Sequence, residues 1–218
     1  DVDAFLVKFS QQPANSITIT IVSRTSLCKG ESFTITFTVT GTFNSGNVFT
    51  AQLSDAQGNF SNPISIGSLA GTGSGTINCT VPLSIATGTG YRVRIVSSNP
   101  AVTSSDNGSN ISINPLPTPE ITGQATVCAN NSYTYTASAV VGSNQWYVTG
   151  GTIIGSSNQS SVTILWGNGT IGTIKLVQTT SAGCKDSTTI NVIINPLPTP
   201  EITGQATVCA NNSYTYTA

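Results

Sequence analysis

Apolar residues recur at every second position along much of this chain, and no stretch of useful length carries the 3.6-residue period of an amphipathic helix. Phe33, Ile35, Phe37 and Val39 alternate with Thr34, Thr36 and Thr38, which predicts a strand with one apolar face and one threonine face. Ile17, Ile19 and Ile21 repeat the pattern, as do Val93 with Ile95 and Ile111 with Ile113. Turn clusters at Gly41–Gly46 and Asp55–Asn59 separate the runs. Farther along, strands are expected over Glu120–Cys128, Ser132–Ser138, Asn144–Thr149, Val162–Trp166, Thr173–Thr179 and Thr188–Ile194.

A long internal repeat sets the organisation. Asn114 to Ala137 reads NPLPTPEITGQATVCANNSYTYTA, and Asn195 to Ala218 reads the same, an offset of 195 − 114 = 81 residues. Such identity marks a duplication, recent or engineered. Each copy opens on alternating prolines, which give up ladder hydrogen bonds and favour a semi-rigid extended spacer. The expected fold is all-β: tandem immunoglobulin-like antiparallel β-sandwiches joined by Pro-rich linkers, with Trp146 on a third strand in the core position of such a sandwich. The expected divisions are an upstream tail over 1–15, a sandwich over 16–113, a linker over 114–119, a second sandwich over 120–194, a linker over 195–200, and the start of a further repeat over 201–218. The last piece supplies two strands, too few to bury an apolar face. Its expected completion is by further residues of the same polypeptide or by strands of a neighbouring subunit, as in a fibre, with the first strand completing something upstream.

Composition narrows the function. Charged residues make up 7% of 218 residues and the formal net charge is −1, so the basic footprint of a nucleic-acid binder is missing. The apolar runs are far shorter than the roughly 20 residues that span a bilayer as a helix, so no membrane insertion is expected in this segment. The chain reads as a mature fragment whose targeting signals lie outside it.

The five cysteines, Cys28, Cys79, Cys128, Cys184 and Cys209, form no C-x-x-C pair, and the chain has no histidine to share a metal. Disulfides and an oxidising compartment follow in preference to zinc. An up-and-down strand order would bring Cys128 and Cys184 to one end of the second sandwich, so that pair is expected, with Cys28–Cys79 in the first.

Candidate chemistry is sparse. Without histidine no Ser-His-Asp or Cys-His arrangement is available, and the eight acidic residues are dispersed, so no enzyme and no cofactor are expected. Asp55–Asn59 and Asp106–Asn110 offer oxygen-rich loops, but each brings one carboxylate where calcium wants several, and both are read as turns. Tyr147 and Trp166 are the candidate carbohydrate contacts.

Residues 114–200 resemble the PKD-like modules of extracellular proteins in Bacteroidetes-type bacteria. The likeness is carried by Ile121-Thr122-Gly123, Val127-Cys128-Ala129, Trp146 with Val148-Thr149-Gly150-Gly151, Val162-Thr163-Ile164 before Trp166-Gly167, Gly183-Cys184, and the Asn195-Pro196-Leu197-Pro198 linker. Residues 26–113 are similar to a second module of the same proteins, through Cys28-Lys29-Gly30, Phe49 to Asp55, Gly90 to Arg94 and Ser97 to Pro100. Asp3 to Phe9 is similar to the closing strand of a bacterial β-propeller repeat. The resemblance implies export by the type IX system and an extracellular or cell-surface location, and it makes Ser187, in Asp186-Ser187-Thr188, a candidate O-glycosylation site. Two functions stand open: a structural or adhesive stalk whose partners are neighbouring modules or subunits, and a carbohydrate-binding accessory region of a secreted polysaccharide-active enzyme. An exposed planar row of Tyr147 and Trp166 would favour the second, and buried rings the first.

Overall fold

The computed structural model describes residues 14 to 218; the strand expected within Asp1–Ser10 lies outside them. The described residues contain strands and turns and no α-helix. They divide into two compact units. The first runs to Pro117 and includes Thr180–Cys184; the second comprises Thr118–Thr179 and Lys185–Ala218.

The first unit is built from β1 (Ser16–Val22), β2 (Ser26–Cys28), β3 (Ser32–Thr40), β4 (Val48–Leu53), β5 (Ile64–Ala70), β6 (Gly75–Thr80), β7 (Gly88–Tyr91), β8 (Val93–Ser98), β9 (Ala101–Thr103) and β10 (Ile111–Asn114). One sheet has the order β1-β3-β6, and the others are β5-β4-β8-β9 and β2-β10-β7. β7 and β8 are one line of chain interrupted at Arg92, whose amide donates to Ser54 Oγ at 2.7 Å. Alternation in β3 is as the sequence predicts: Phe33, Ile35 and Phe37 are buried with Phe49, Leu53, Ile77, Val93 and Ile95 in one core. β1 departs from it. A bulge between Ile19 and Ile21 shifts the register against β3, so Ile21 pairs with Thr36 and stands 58% exposed while Val22 packs on the core.

The second unit is a two-layer sandwich of eight strands: β11 (Ile121–Thr122), β12 (Thr126–Cys128), β13 (Ser132–Ala137), β14 (Gly142–Thr149), β15 (Gly151–Ile154), β16 (Ser161–Trp166), β17 (Ile171–Thr180) and β18 (Lys185–Asn195). The layers are β11-β13-β16-β15 and β12-β18-β17-β14, an immunoglobulin-like arrangement. The strand expected over Glu120–Cys128 is two strands in different sheets. β11 pairs antiparallel with β13, and β12 pairs parallel with β18. The crossing is made at Gly123, which lies against the Tyr135 ring; a Cβ there would meet Cδ1 at 2.2 Å. The first unit makes the same switch, β2 pairing parallel with β10. Among the described residues, each sandwich thus combines antiparallel pairing with one parallel pair.

In the repeated tail, Thr203 bridges Thr217, Tyr216 Oη donates to the Gln205 carbonyl at 2.8 Å, and the Cys209 amide donates to Tyr214 Oη at 2.8 Å. These reproduce Thr122 with Thr136, Tyr135 with Gln124 and Cys128 with Tyr133. Val208 and Tyr216 are half exposed, whereas Val127 and Tyr135 are buried.

Candidate functional site

The cysteines take their roles from strand parity. Successive residues of a strand point to opposite faces. Leu27 and Val127 point into their cores, so Cys28 and Cys128, one residue on, point outward. Cys28 is disulfide-bonded to Cys184, with Cα atoms 5.6 Å apart and 156 positions between them in sequence. Cys79, Cys128 and Cys209 are free thiols.

Both expected pairings are thereby corrected. Cys128 lies opposite Asn195, the last residue of β18, whereas Cys184 immediately precedes the first, Lys185. Ten residue steps of a strand separate those positions by about 33 Å, and a disulfide needs Cα atoms within about 7 Å. The up-and-down order assumed for the pairing is replaced by a β12 that runs parallel to β18. Cys79 sits in β6 opposite Phe33 and is buried in the first core, facing inward where Cys28 faces outward. Burial pushes its thiol up to about 12.

Cys28 and Cys128 share more than parity. Each faces the last residue of its parallel partner, Asn114 or Asn195, and each of those asparagines begins a Pro-Leu-Pro-Thr-Pro segment. The following amides, of Lys29 and Ala129, donate to the carbonyls of Asn114 and Asn195. Two residues beyond each cysteine the chain enters the left-handed region, at Gly30 (φ 75°) and Asn130 (φ 59°). Gly30 then donates to Val81 and Asn130 to Trp166, while Val81 and Trp166 donate back to Glu31 and Asn131. The two turns share these backbone contacts and differ at the cysteine amide, which donates to Glu31 Oε2 from Cys28 and to Tyr133 Oη from Cys128. Cys209 opens a third copy, with Asn211 at φ 66°.

The aromatic candidates separate. Tyr147 is 55% exposed, but Trp166 is fully buried and meets Tyr135 edge-on at 6.1 Å between ring centroids. Trp166 is therefore corrected from surface contact to core residue, because it closes β16 on the inward face with Val162 and Ile164. Trp146 is buried as the sequence predicts, its indole N–H donating to the Gln159 carbonyl at 2.9 Å. Ser187 is exposed within β18, paired with Val177, so Asp186-Ser187-Thr188 lies in a strand.

The oxygen-rich loops spend their carboxylates on the backbone. Asp55 accepts from the Gln57 and Asn59 amides at 2.9 and 2.8 Å, and the Asn59 amide leads in holding its carboxyl below the usual value. Asp106 accepts from the Gly108 amide at 2.7 Å. A groove of about 560 Å³ beside Asp55 is lined by Gln57, Asn62, Thr87 and Tyr91 among others. Tyr91 is almost wholly buried, its hydroxyl donating to the Ala86 carbonyl, so this groove offers no ring face for stacking on a sugar.

No family model matches the chain, and no curated protein sequence matches it. Among solved structures, Escherichia coli alpha-2-macroglobulin activated by porcine elastase aligns at 9% identity and a TM-score of 0.34, over 92% of this chain and 24% of that one. The Bacteroides ovatus mixed-linkage glucan utilization locus protein SGBP-B, in complex with a mixed-linkage heptasaccharide, aligns at 12% identity and 0.28, over 85% and 45%. A marsupial T cell receptor aligns at 13% identity and 0.35, over 89% and 77%. This chain thus spans less than half the length of the first two. At these TM-scores the fold rests on the strand pairing described above and not on the alignments.

Proposed function

We propose that this chain is a non-catalytic structural segment of an extracellular or cell-surface protein made of sandwiches in series, serving as a stalk that carries other parts of that protein. The observation that carries this reading is the burial of both tryptophans in the second core. The rings best suited to grip a sugar are spent on holding a sandwich together. The disulfide supports an oxidising compartment, and a module built from strands and turns alone suits a repeated spacer. Exposed Tyr147 keeps the carbohydrate-binding reading open to test. Affinity electrophoresis of the whole chain through gels containing mixed-linkage glucan, xylan or cellulose derivatives decides between them. Unretarded migration is expected; retardation that Tyr147→Ala abolishes would overturn the stalk in favour of a carbohydrate-binding region. Ser187 is proposed as exposed and modifiable, and intact mass of the exported protein checks it.

A further inference from the structure

We infer that Asn168 is a site of spontaneous deamidation, where the Gly169 nitrogen closes on the side-chain amide and water reopens the ring to aspartate or isoaspartate. Asn-Gly is the dipeptide most open to this chemistry. A following glycine puts no Cβ in the way of the attacking nitrogen and leaves the backbone free to turn into position. The chain has two such dipeptides, Asn107-Gly108 and Asn168-Gly169. The sequence ranks them equal, and the structure separates them.

Asn107 is held on both sides of the bond that would form. Its Oδ1 accepts from the Val93 amide at 2.9 Å and its Nδ2 donates to the Ser109 carbonyl at 2.7 Å. The would-be nucleophile, the Gly108 amide, donates to Asp106 Oδ1 at 2.7 Å. Asn168 stands exposed in the loop 167–170 between β16 and β17. That loop is tied at its two ends, where the Gly167 amide donates to the Gly150 carbonyl and the Thr170 carbonyl accepts from the Ile194 amide, both at 2.9 Å. Between these ties, neither the Asn168 side chain nor the Gly169 amide has a hydrogen-bond partner among the described residues. The space is open too. Apart from its neighbours in sequence, a Cβ on Gly169 would meet nothing nearer than the Ile171 carbonyl oxygen at 3.8 Å.

In the reaction the Gly169 nitrogen gives up its proton to solvent base and attacks Asn168 Cγ. The new N–Cγ bond closes a succinimide ring, the Cγ–Nδ2 bond breaks, and ammonia leaves with a proton from water. Water then adds to one of the two ring carbonyls. Opening at Cγ leaves aspartate; opening at the backbone carbonyl leaves isoaspartate, whose main chain runs through the former side chain. Water is the sole co-reactant, and nothing is oxidised or reduced. Either product adds one negative charge to a chain whose formal net charge is −1.

The test incubates the whole chain in mildly alkaline buffer made with heavy-oxygen water, follows its circular dichroism, and maps peptides by mass after digestion in ordinary water. Conversion during digestion then carries ordinary oxygen and is told apart. Heavy oxygen is expected at Asn168, at a rate above that of Asn107 by roughly tenfold or more, the factor that one hydrogen bond supplies when it must break first. In urea the two sites should react at similar rates. Asp106→Ala, which frees the Gly108 amide, should speed Asn107 and leave Asn168 unchanged. Gly169→Ala should slow Asn168 with the β-sheet circular dichroism intact. A folded chain in which Asn168 gains no heavy oxygen, or in which Asn107 gains it as fast, would overturn the inference. Unslowed conversion in Gly169→Ala would overturn it at the attacking nitrogen. Should Asp106→Ala not fold, the folded and urea-unfolded unmutated chains decide between these outcomes by themselves.

Discussion

Tyr135 holds the second sandwich together at the point where its first strand changes sheets. The hydroxyl donates to the Gln124 carbonyl at 2.8 Å, the ring meets Trp166, and Gly123 lies flat against it. Gly123→Ala should cost about 1–3 kcal/mol through overpacking, and Tyr135→Phe about 0.5–1.5 kcal/mol through the lost hydrogen bond. Both tryptophans of the chain lie in this unit, so urea unfolding followed by their fluorescence reads it alone. An unchanged midpoint for Gly123→Ala would show that the crossing has slack. Burial also raises the Tyr135 phenol above its ordinary value. The neutral form is favoured by folding, so its contribution is whole below about pH 10 and is lost as pH rises through the higher folded value. The alkaline fall in fluorescence-monitored stability should therefore be shallower in Tyr135→Phe. Cysteine roles were only half legible at this scale. That the thiols point to disulfides follows from composition; which pairs form depends on parity relative to a core and on a parallel strand pair, and neither is local in sequence.

At the scale of elements, the two-residue period made β3 legible because Phe33, Ile35 and Phe37 on its apolar face are buried and Val39 packs half-buried beside them. β1 was not, since one extra residue in its ladder turns Ile21 outward without altering the spelling of the pattern. Ile35→Ala should accordingly cost about 2–5 kcal/mol, and Ile21→Ala should stay within about 0.5 kcal/mol. Amide hydrogen exchange in β3 measures both, and a large loss from Ile21→Ala would place that side chain in the core. β15 escaped the sequence reading because Gly150 and Gly151 look like a turn. Gly150, at φ 75°, makes the one-residue bend between β14 and β15, and Gly151 opens the new strand in close packing, since a Cβ there would meet Ile164 Cγ2 at 2.9 Å. The divided first strand had a visible signal in Gly123-Gln124-Ala125, a weak break inside an apolar run, but the change of sheet is a tertiary event.

At the scale of the whole chain, the two cores share no residue, so each sandwich draws its stability from its own apolar contacts. The Cys28–Cys184 bond adds a constraint of another kind. If the second unit unfolds while the first stays folded, the chain from Thr118 to Cys184 remains tied at both ends, a loop of 184 − 118 = 66 positions. Tying a loop of that length lowers the entropy of the unfolded segment by roughly 4 kcal/mol in the chain-entropy account, and native disulfides commonly deliver 2–4 kcal/mol. Cys184→Ser should therefore lower the stability of the second unit by about 2–4 kcal/mol, although no residue of its core changes. The same loss should appear in the unmutated chain when reductant is added, and Cys184→Ser should show no further loss under those conditions. Iodoacetamide labelling supplies the independent readout, since Cys28 gains a label in the variant while Cys79 takes one only on unfolding. A fluorescence midpoint unmoved by both mutation and reductant would show that the bond does not constrain the unfolded second unit.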